Sequence, residues 1–132
     1  MNKVDLLIKN ATILTMNPGN EIIDNGFIAI LGTEIAEVGK QGDQLSELES
    51  KVTIDARGNP VLPGFINTHH HFFSTFFRGS PYMHGEGDLL DFIKNVYSGG
   101  ILNANREDCY HAVLLGCMEM MRSGITSCID VN

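Results

Sequence analysis

The sequence predicts an α/β chain in two parts, and three observations carry that prediction. Short apolar segments separated by turn residues fill residues 1–58, the pattern of several short strands. From residue 59 onward an apolar run, a long polar stretch, an amphipathic segment and a second apolar run follow in that order. That alternation of strand, helix and strand implies a parallel sheet with a right-handed crossover. The first of those apolar runs ends in three consecutive histidines, His69, His70 and His71.

Within residues 1–58, segments 6–8 and 12–15 are strand-like, and Asn17-Pro18-Gly19-Asn20 is a turn cluster. Residues 27–31 and 35–38 flank Gly32-Thr33-Glu34 and predict a hairpin. Residues 39–50 are polar and read as a loop. Val52-Thr53-Ile54-Asp55 alternates at period two, and Arg57-Gly58-Asn59-Pro60 turns the chain. None of these segments carries chemistry.

In residues 59–132 the first strand leads from Val61-Leu62-Pro63-Gly64-Phe65-Ile66 into Asn67-Thr68 and the histidines. A helix follows over residues 106–123. Asn105 suits its N-cap, and Asp108 three residues later resembles the partner in a capping box. Cys109, Ala112, Val113, Gly116, Cys117, Met120 and Met121 recur at helical spacing as one apolar stripe. Arg122 suits the last turn and Gly124 the position beyond it. Residues 125–131 form the second strand.

Side chains alternate along a strand, so His69 and His71 share a face and His70 takes the other. Two imidazoles so placed can reach one ion through metal–nitrogen bonds of about 2.0–2.1 Å. The same pattern also occurs at exposed strand ends that hold no ion.

The bulk numbers narrow the classes. Nine basic against 16 acidic residues give a net charge of −7, which argues against a nucleic-acid partner. No apolar run approaches the length of a membrane span, and Asp5 and Lys9 interrupt the first apolar stretch, so no signal peptide is read. Cys109, Cys117 and Cys128 are odd in number and lack Cys-x-x-Cys spacing, which suits a reduced cytoplasmic setting with Cys109 and Cys117 as small core residues.

The stretch Pro63-Gly64-Phe65-Ile66-Asn67-Thr68-His69-His70-His71 resembles the first barrel strand of the amidohydrolase superfamily. That motif reads Pro-Gly, two hydrophobic residues, Asp or Asn, then His-x-His. Thr75-Phe76-Phe77-Arg78-Gly79 and Glu119-Met120-Met121-Arg122-Ser123-Gly124-Ile125-Thr126 are similar to its branch of aminohydrolases and chlorohydrolases of nitrogen heterocycles. The resemblance implies the start of a TIM (β/α)₈ barrel (residues 59–132) preceded by part of a small β-sandwich (residues 1–58). Such a barrel needs about 250 residues and eight strands, so the chain is expected to be the N-terminal part of a larger enzyme.

The resemblance further implies that His69 and His71 are metal ligands, with zinc as the expected ion and ferrous iron as the alternative. It places two more histidines, an aspartate and the acid–base glutamate on strands beyond residue 132. No catalytic acid–base residue is therefore assigned, and neither Glu86 nor Glu107 sits in the matching context. Phe73, or a neighbouring phenylalanine, is expected to line a pocket for a flat heterocycle. Ser74 stands where the branch often has glutamine or methionine. Asp130 recurs at its position in the family without ligating the metal. His84 and residues 82–88 read as a solvated, lid-like loop, His111 as structural, and Arg78 as a surface charge at a turn. Deaminases of adenosine analogues carry a ribose-gripping glutamate where this chain has Ser98-Gly99-Gly100-Ile101-Leu102, which favours a smaller ring over a nucleoside.

The expected activity is hydrolysis of a carbon–nitrogen bond outside peptides, a deamination or dechlorination of a small heterocycle. The alternatives are a catalytically incomplete piece acting as an assembly or interaction module, and one part of a split hydrolase. Two barrel strands alone leave an open sheet edge, so a homo-oligomer or a complementing remainder of the barrel is the expected partner.

Overall fold

A computed structural model describes residues 2–42, 45, 47–79 and 88–131. The chain divides into two compact units, Met1–Pro63 and Gly64–Asn132. The expected division after residue 58 falls just short of a two-residue strand, Pro60–Val61, that pairs with the first unit and holds the chain there.

In the first unit β1 (Asn2–Leu14) is the central strand. It runs antiparallel to β2 (Ile22–Leu31) and parallel to β4 (Leu48–Asp55) and β5 (Pro60–Val61). β2 forms a hairpin with β3 (Glu34–Lys40), turned through Gly32 at a φ of 61°. The two strands expected at 6–8 and 12–15 are one strand carrying a bulge. Asn10 sits at a φ of 56° and the register shifts on either side of Ala11. Asn10 tolerates that left-handed conformation, and its side chain is tied down on both ends. Its Nδ2 donates to Asp55 Oδ1 (2.8 Å) and its Oδ1 accepts from Gln41 Nε2 (3.0 Å).

The bulge changes the alternation of β1, as an extra residue must. Val4 and Leu7 pack with Phe27 and Ala29 in one small core. Beyond the bulge, Ala11 and Ile13 join Ile28 and the partly buried Ile8 in a second core. The loop expected over residues 39–50 is shorter, because Gly39 and Lys40 pair with Phe27 and Gly26 while Leu48, Glu49 and Ser50 pair with β1. Backbone pairing there does not need apolar side chains. The sheet also leaves an apolar cleft of about 290 Å³, lined by Ile8, Ile28, Ile30, Ile35, Val38 and Val61 among others.

In the second unit β6 (Phe65–His70) pairs in parallel with β7 (Ile125–Asp130), as the strand–helix–strand reading requires. Between them lie α1 (Phe72–Phe76), α2 (Leu89–Gly99), a single 3₁₀ turn at Ile101–Asn103 and α3 (Arg106–Arg122). α3 begins as expected. Asn105 Oδ1 accepts the N–H groups of Glu107 and Asp108, and Asp108 Oδ2 accepts the Asn105 N–H. Gly124, at a φ of 76°, follows its last turn.

The stripe on α3 is narrower than its sequence suggests. Ala112, Gly116 and Met120 are buried, whereas Met121 is 68% exposed and Val113 39%. Cys109 is exposed and Cys117 half-buried, so the core reading of Cys109 does not hold. The buried line is set by α1, whose Phe72 and Thr75 pack on Gly116; a Cβ at Gly116 would stand 2.6 Å from Phe72 Cδ1. Arg78 Nη2 pairs with Glu119 Oε1 at 2.9 Å and fastens the two helices at their surface. Asp88 accepts the N–H groups of Leu90 and Asp91 and so caps α2. The rest of the expected lid, residues 82–87 with His84 and Glu86, lies outside the described residues.

Candidate metal centre

β6 delivers three histidines at its C-terminal end, beside the C-terminal end of β7. The alternation of the strand separates them. His70 packs edge-on against Phe72, ring centroids 4.5 Å apart, and its Nε2 is enclosed with no hydrogen-bond partner among the described residues. His69 and His71 turn to one side, where their Nε2 atoms face each other at 3.1 Å. His69 is exposed and His71 half-buried.

That separation suits a shared ion. The two nitrogens are within hydrogen-bond distance of each other, and His69 and His71 would be the residues of this chain to hold a divalent ion. The second ring nitrogen of His71 supports the same use. Its Nδ1 donates to the Val131 carbonyl, which leaves Nε2 as the lone-pair nitrogen, the arrangement common to metal-bound imidazoles. Asn67 Oδ1 accepts the His69 N–H at 3.2 Å and steadies the strand one turn of the pleat earlier. Among the described residues no group of three or more His, Cys, Asp or Glu side chains is placed to hold a metal.

The neighbours of the pair divide cleanly. The Phe73 ring lies beside His71, centroids 5.4 Å apart and planes tilted by 47°. Ser74 Oγ donates to the His71 carbonyl at 2.6 Å, so this hydroxyl is engaged in the first turn of α1. Asp130 Oδ1 accepts the Phe72 N–H at 3.0 Å. The family resemblance gives Asp130 no ligand role; its backbone partner lies 58 residues earlier, and no local pattern signals such a contact. Arg78 is occupied by Glu119 and the Thr75 carbonyl, and His111 Nδ1 by the Glu107 carbonyl, consistent with structural roles for both.

A sandwich-like sheet unit followed by a parallel β–α–β unit, with a paired histidine motif at the strand C-terminus, defines the first part of a barrel hydrolase fold. The chain belongs to the amidohydrolase family, whose sequence profile it matches over residues 61–132. It is 34% identical over 96% of its length to a 5'-deoxyadenosine deaminase of Methanosarcina barkeri. It is 36% identical over 92% of its length to a 5-methylthioadenosine/S-adenosylhomocysteine deaminase of Bacillus cereus. It spans 28% and 27% of those two relatives.

Solved structures agree on the fold. An adenosine deaminase from Xanthomonas campestris with bound zinc superposes with a TM-score of 0.87 at 20% identity, covering 98% of this chain and 29% of that one. Atrazine chlorohydrolase from Arthrobacter aurescens TC1, complexed with zinc, superposes with a TM-score of 0.80 at 24% identity over 95% of this chain and 28% of that one. The chain therefore carries part of a small β-sandwich and the first two strands of a (β/α)₈ barrel.

Proposed function

We propose that this chain is part of a metal-dependent hydrolase that removes an amino or chloro group from a nitrogen heterocycle. The observation that carries the reading is the His69–His71 pair, with Nε2 atoms 3.1 Å apart and the His71 Nδ1 proton committed to Val131. His69 and His71 are the ligands this chain contributes, and zinc is the ion favoured by the imidazole donors, with ferrous iron the alternative. The relatives named above, deaminases and a chlorohydrolase with zinc in two of the structures, support the same chemistry.

When bound, such an ion supplies a water nucleophile at neutral pH. Overall, oxygen from water replaces the amino group or chloride on the ring carbon, and ammonia or chloride leaves. Phe73 offers an aromatic wall beside His71 for a flat ring. Ser74 remains the second contact proposed for substrate, through its β-carbon side, since its hydroxyl already donates to His71. No general acid or base is assigned within the chain. The free cysteines fit a reducing cytoplasm, and among the described residues no helix is long and apolar enough to cross a membrane.

Two observations favour a second reading. Two imidazoles are fewer than the three protein ligands a zinc site normally offers, and the chain spans 28% of its relatives. A split hydrolase follows if a second polypeptide supplies the missing ligands, and a non-catalytic assembly piece follows if none are supplied. The test is metal content and product release, measured on the 132-residue chain and on any longer polypeptide its gene encodes. The substrates are 5'-deoxyadenosine, 5'-methylthioadenosine and a chlorotriazine. Metal with ammonia or chloride release only when the rest of a barrel is present supports the hydrolase. No metal in any form sinks it. The panel also decides between a nucleoside and the smaller ring suggested by Ser98-Gly99-Gly100.

A further inference from the structure

The end of β7 grips the end of β6 at three consecutive residues. Val131 N–H donates to the His70 carbonyl at 2.9 Å, and the Val131 carbonyl accepts the His71 Nδ1 proton. Asp130 Oδ1 accepts the Phe72 N–H at 3.0 Å. Phe72 is the first residue of α1, and His71, at its N-cap, offers that helix no side-chain cap. A helix start leaves its first N–H groups without intrahelical partners. Asp130 supplies one partner from a strand 58 residues away.

This geometry does more than close a helix. His71 sits between two residues that β7 holds, His70 by its carbonyl and Phe72 by its N–H. Its backbone is extended there, φ −135° and ψ 95°. With both flanks fixed, the imidazole meets the Val131 carbonyl and its Nε2 points at the His69 Nε2. If the Phe72 N–H were released, the turn after β6 could rotate and carry the ring away from Val131.

We propose that Asp130 is a positioning residue for His71: by holding the Phe72 N–H it fixes the ring so that Nδ1 is protonated against Val131 and Nε2 is presented to a metal. The proposal rests on the reading of His69 and His71 as ligands only for its metal consequence; the ring orientation is independent of any ion. Asp130 acts as a hydrogen-bond acceptor here, so an amide in its place should serve nearly as well.

The test uses the full-length gene product carrying Asp130→Ala or Asp130→Asn, with two readouts. Zinc affinity by chelator competition should fall about 10–100-fold in Asp130→Ala, the range typical of groups that orient a ligand. In Asp130→Asn it should stay within about fivefold, because the amide oxygen still accepts, without the charge that strengthens the bond. Nitrogen–proton correlation spectra of the metal-free protein should show His71 protonated at Nδ1 in the parent and in Asp130→Asn, and a tautomer mixture in Asp130→Ala. A parent-like tautomer and parent-like zinc affinity in Asp130→Ala would overturn the proposal. So would an Asp130→Asn variant whose zinc affinity falls about tenfold or more below the parent's, and that measurement alone decides the matter if Asp130→Ala does not fold. Should His69→Ala and His71→Ala leave zinc binding intact, the metal reading fails on its own, and the tautomer spectra still judge Asp130.

Discussion

Gly64 lies against Thr126 with no room between them: a Cβ on Gly64 would stand 2.2 Å from Thr126 Cγ2 and 2.8 Å from its Cβ. The contact joins β7 to the approach to β6, at the end of the strand pair opposite the histidines. Gly64→Ala is therefore expected to destabilise the second unit by about 1–3 kcal/mol, the usual cost of overpacking. Thr126→Ala, which removes two of the three crowding atoms, should recover part of that loss. A denaturation midpoint unchanged in Gly64→Ala would contradict the packing.

The capping box predicts a graded effect on α3. Asn105→Ala removes the acceptor for the Glu107 and Asp108 N–H groups and should cost about 1 kcal/mol. Asp108→Ala frees the Asn105 N–H, and the two losses should add to less than their sum because they share one motif. Equilibrium unfolding of the two single variants and the double variant measures this.

The first unit should carry an acid-sensitive component. Hydrogen bonds from Lys51 and from the Gly32 N–H hold the Asp5 carboxyl below its usual range. Asn10 and the Arg57 N–H do the same for Asp55. Their pKa values are lower in the folded chain than in the unfolded one. The stability they give is thus fully present above the ordinary aspartate range, and it drains away as pH falls through that range towards the folded values. Asp55 is exposed and Asp5 half-buried beside an exposed Lys51, so the effect is small and weakens with salt. Asp5→Asn and Asp55→Asn should flatten the fall in melting temperature below that range, while leaving the neutral-pH profile nearly parallel to the parent. A fall as steep as the parent's in both variants would be the contrary result.

Phe73 offers a test of the proposed site that leaves His69 and His71 in place. Its ring stands beside His71, centroids 5.4 Å apart. Phe73→Ala should raise KM for a ring substrate by about tenfold, the loss of roughly 1.4 kcal/mol of aromatic contact, with a smaller change in kcat. Metal content should not change. Steady-state kinetics with parallel metal analysis gives both numbers.

Part of this molecule is readable from its residues alone. His-x-His after an apolar strand names its own geometry, because strand alternation fixes which rings share a side. The capping box at Asn105 and Asp108 and the glycine at 124 are equally local. What escaped was non-local. Nothing near Asn10 announces a bulge; Asp55 and Gln41 hold it in place from 45 and 31 residues away. Gly39, Lys40 and Glu49 read as loop because they are polar or small, yet their backbones complete a sheet. The stripe on α3 looked wide because Val113 and Met121 are apolar, whereas α1 covers only the line through Ala112, Gly116 and Met120. Asp130 is the sharpest case: its partner is a backbone N–H, which no side-chain pattern encodes.

The separation along the chain between His71 and the β7 residues that hold it has a consequence for biosynthesis. His71 leaves the ribosome 60 residues before Val131 and Phe72 leaves 58 before Asp130. At about 5–20 residues per second that interval lasts roughly 3–12 s. Throughout it the two imidazoles are exposed on a nascent strand with neither tautomer imposed. Under the metal reading proposed above, the pair is thus oriented for an ion only once β7 has emerged, a strand that supplies neither histidine.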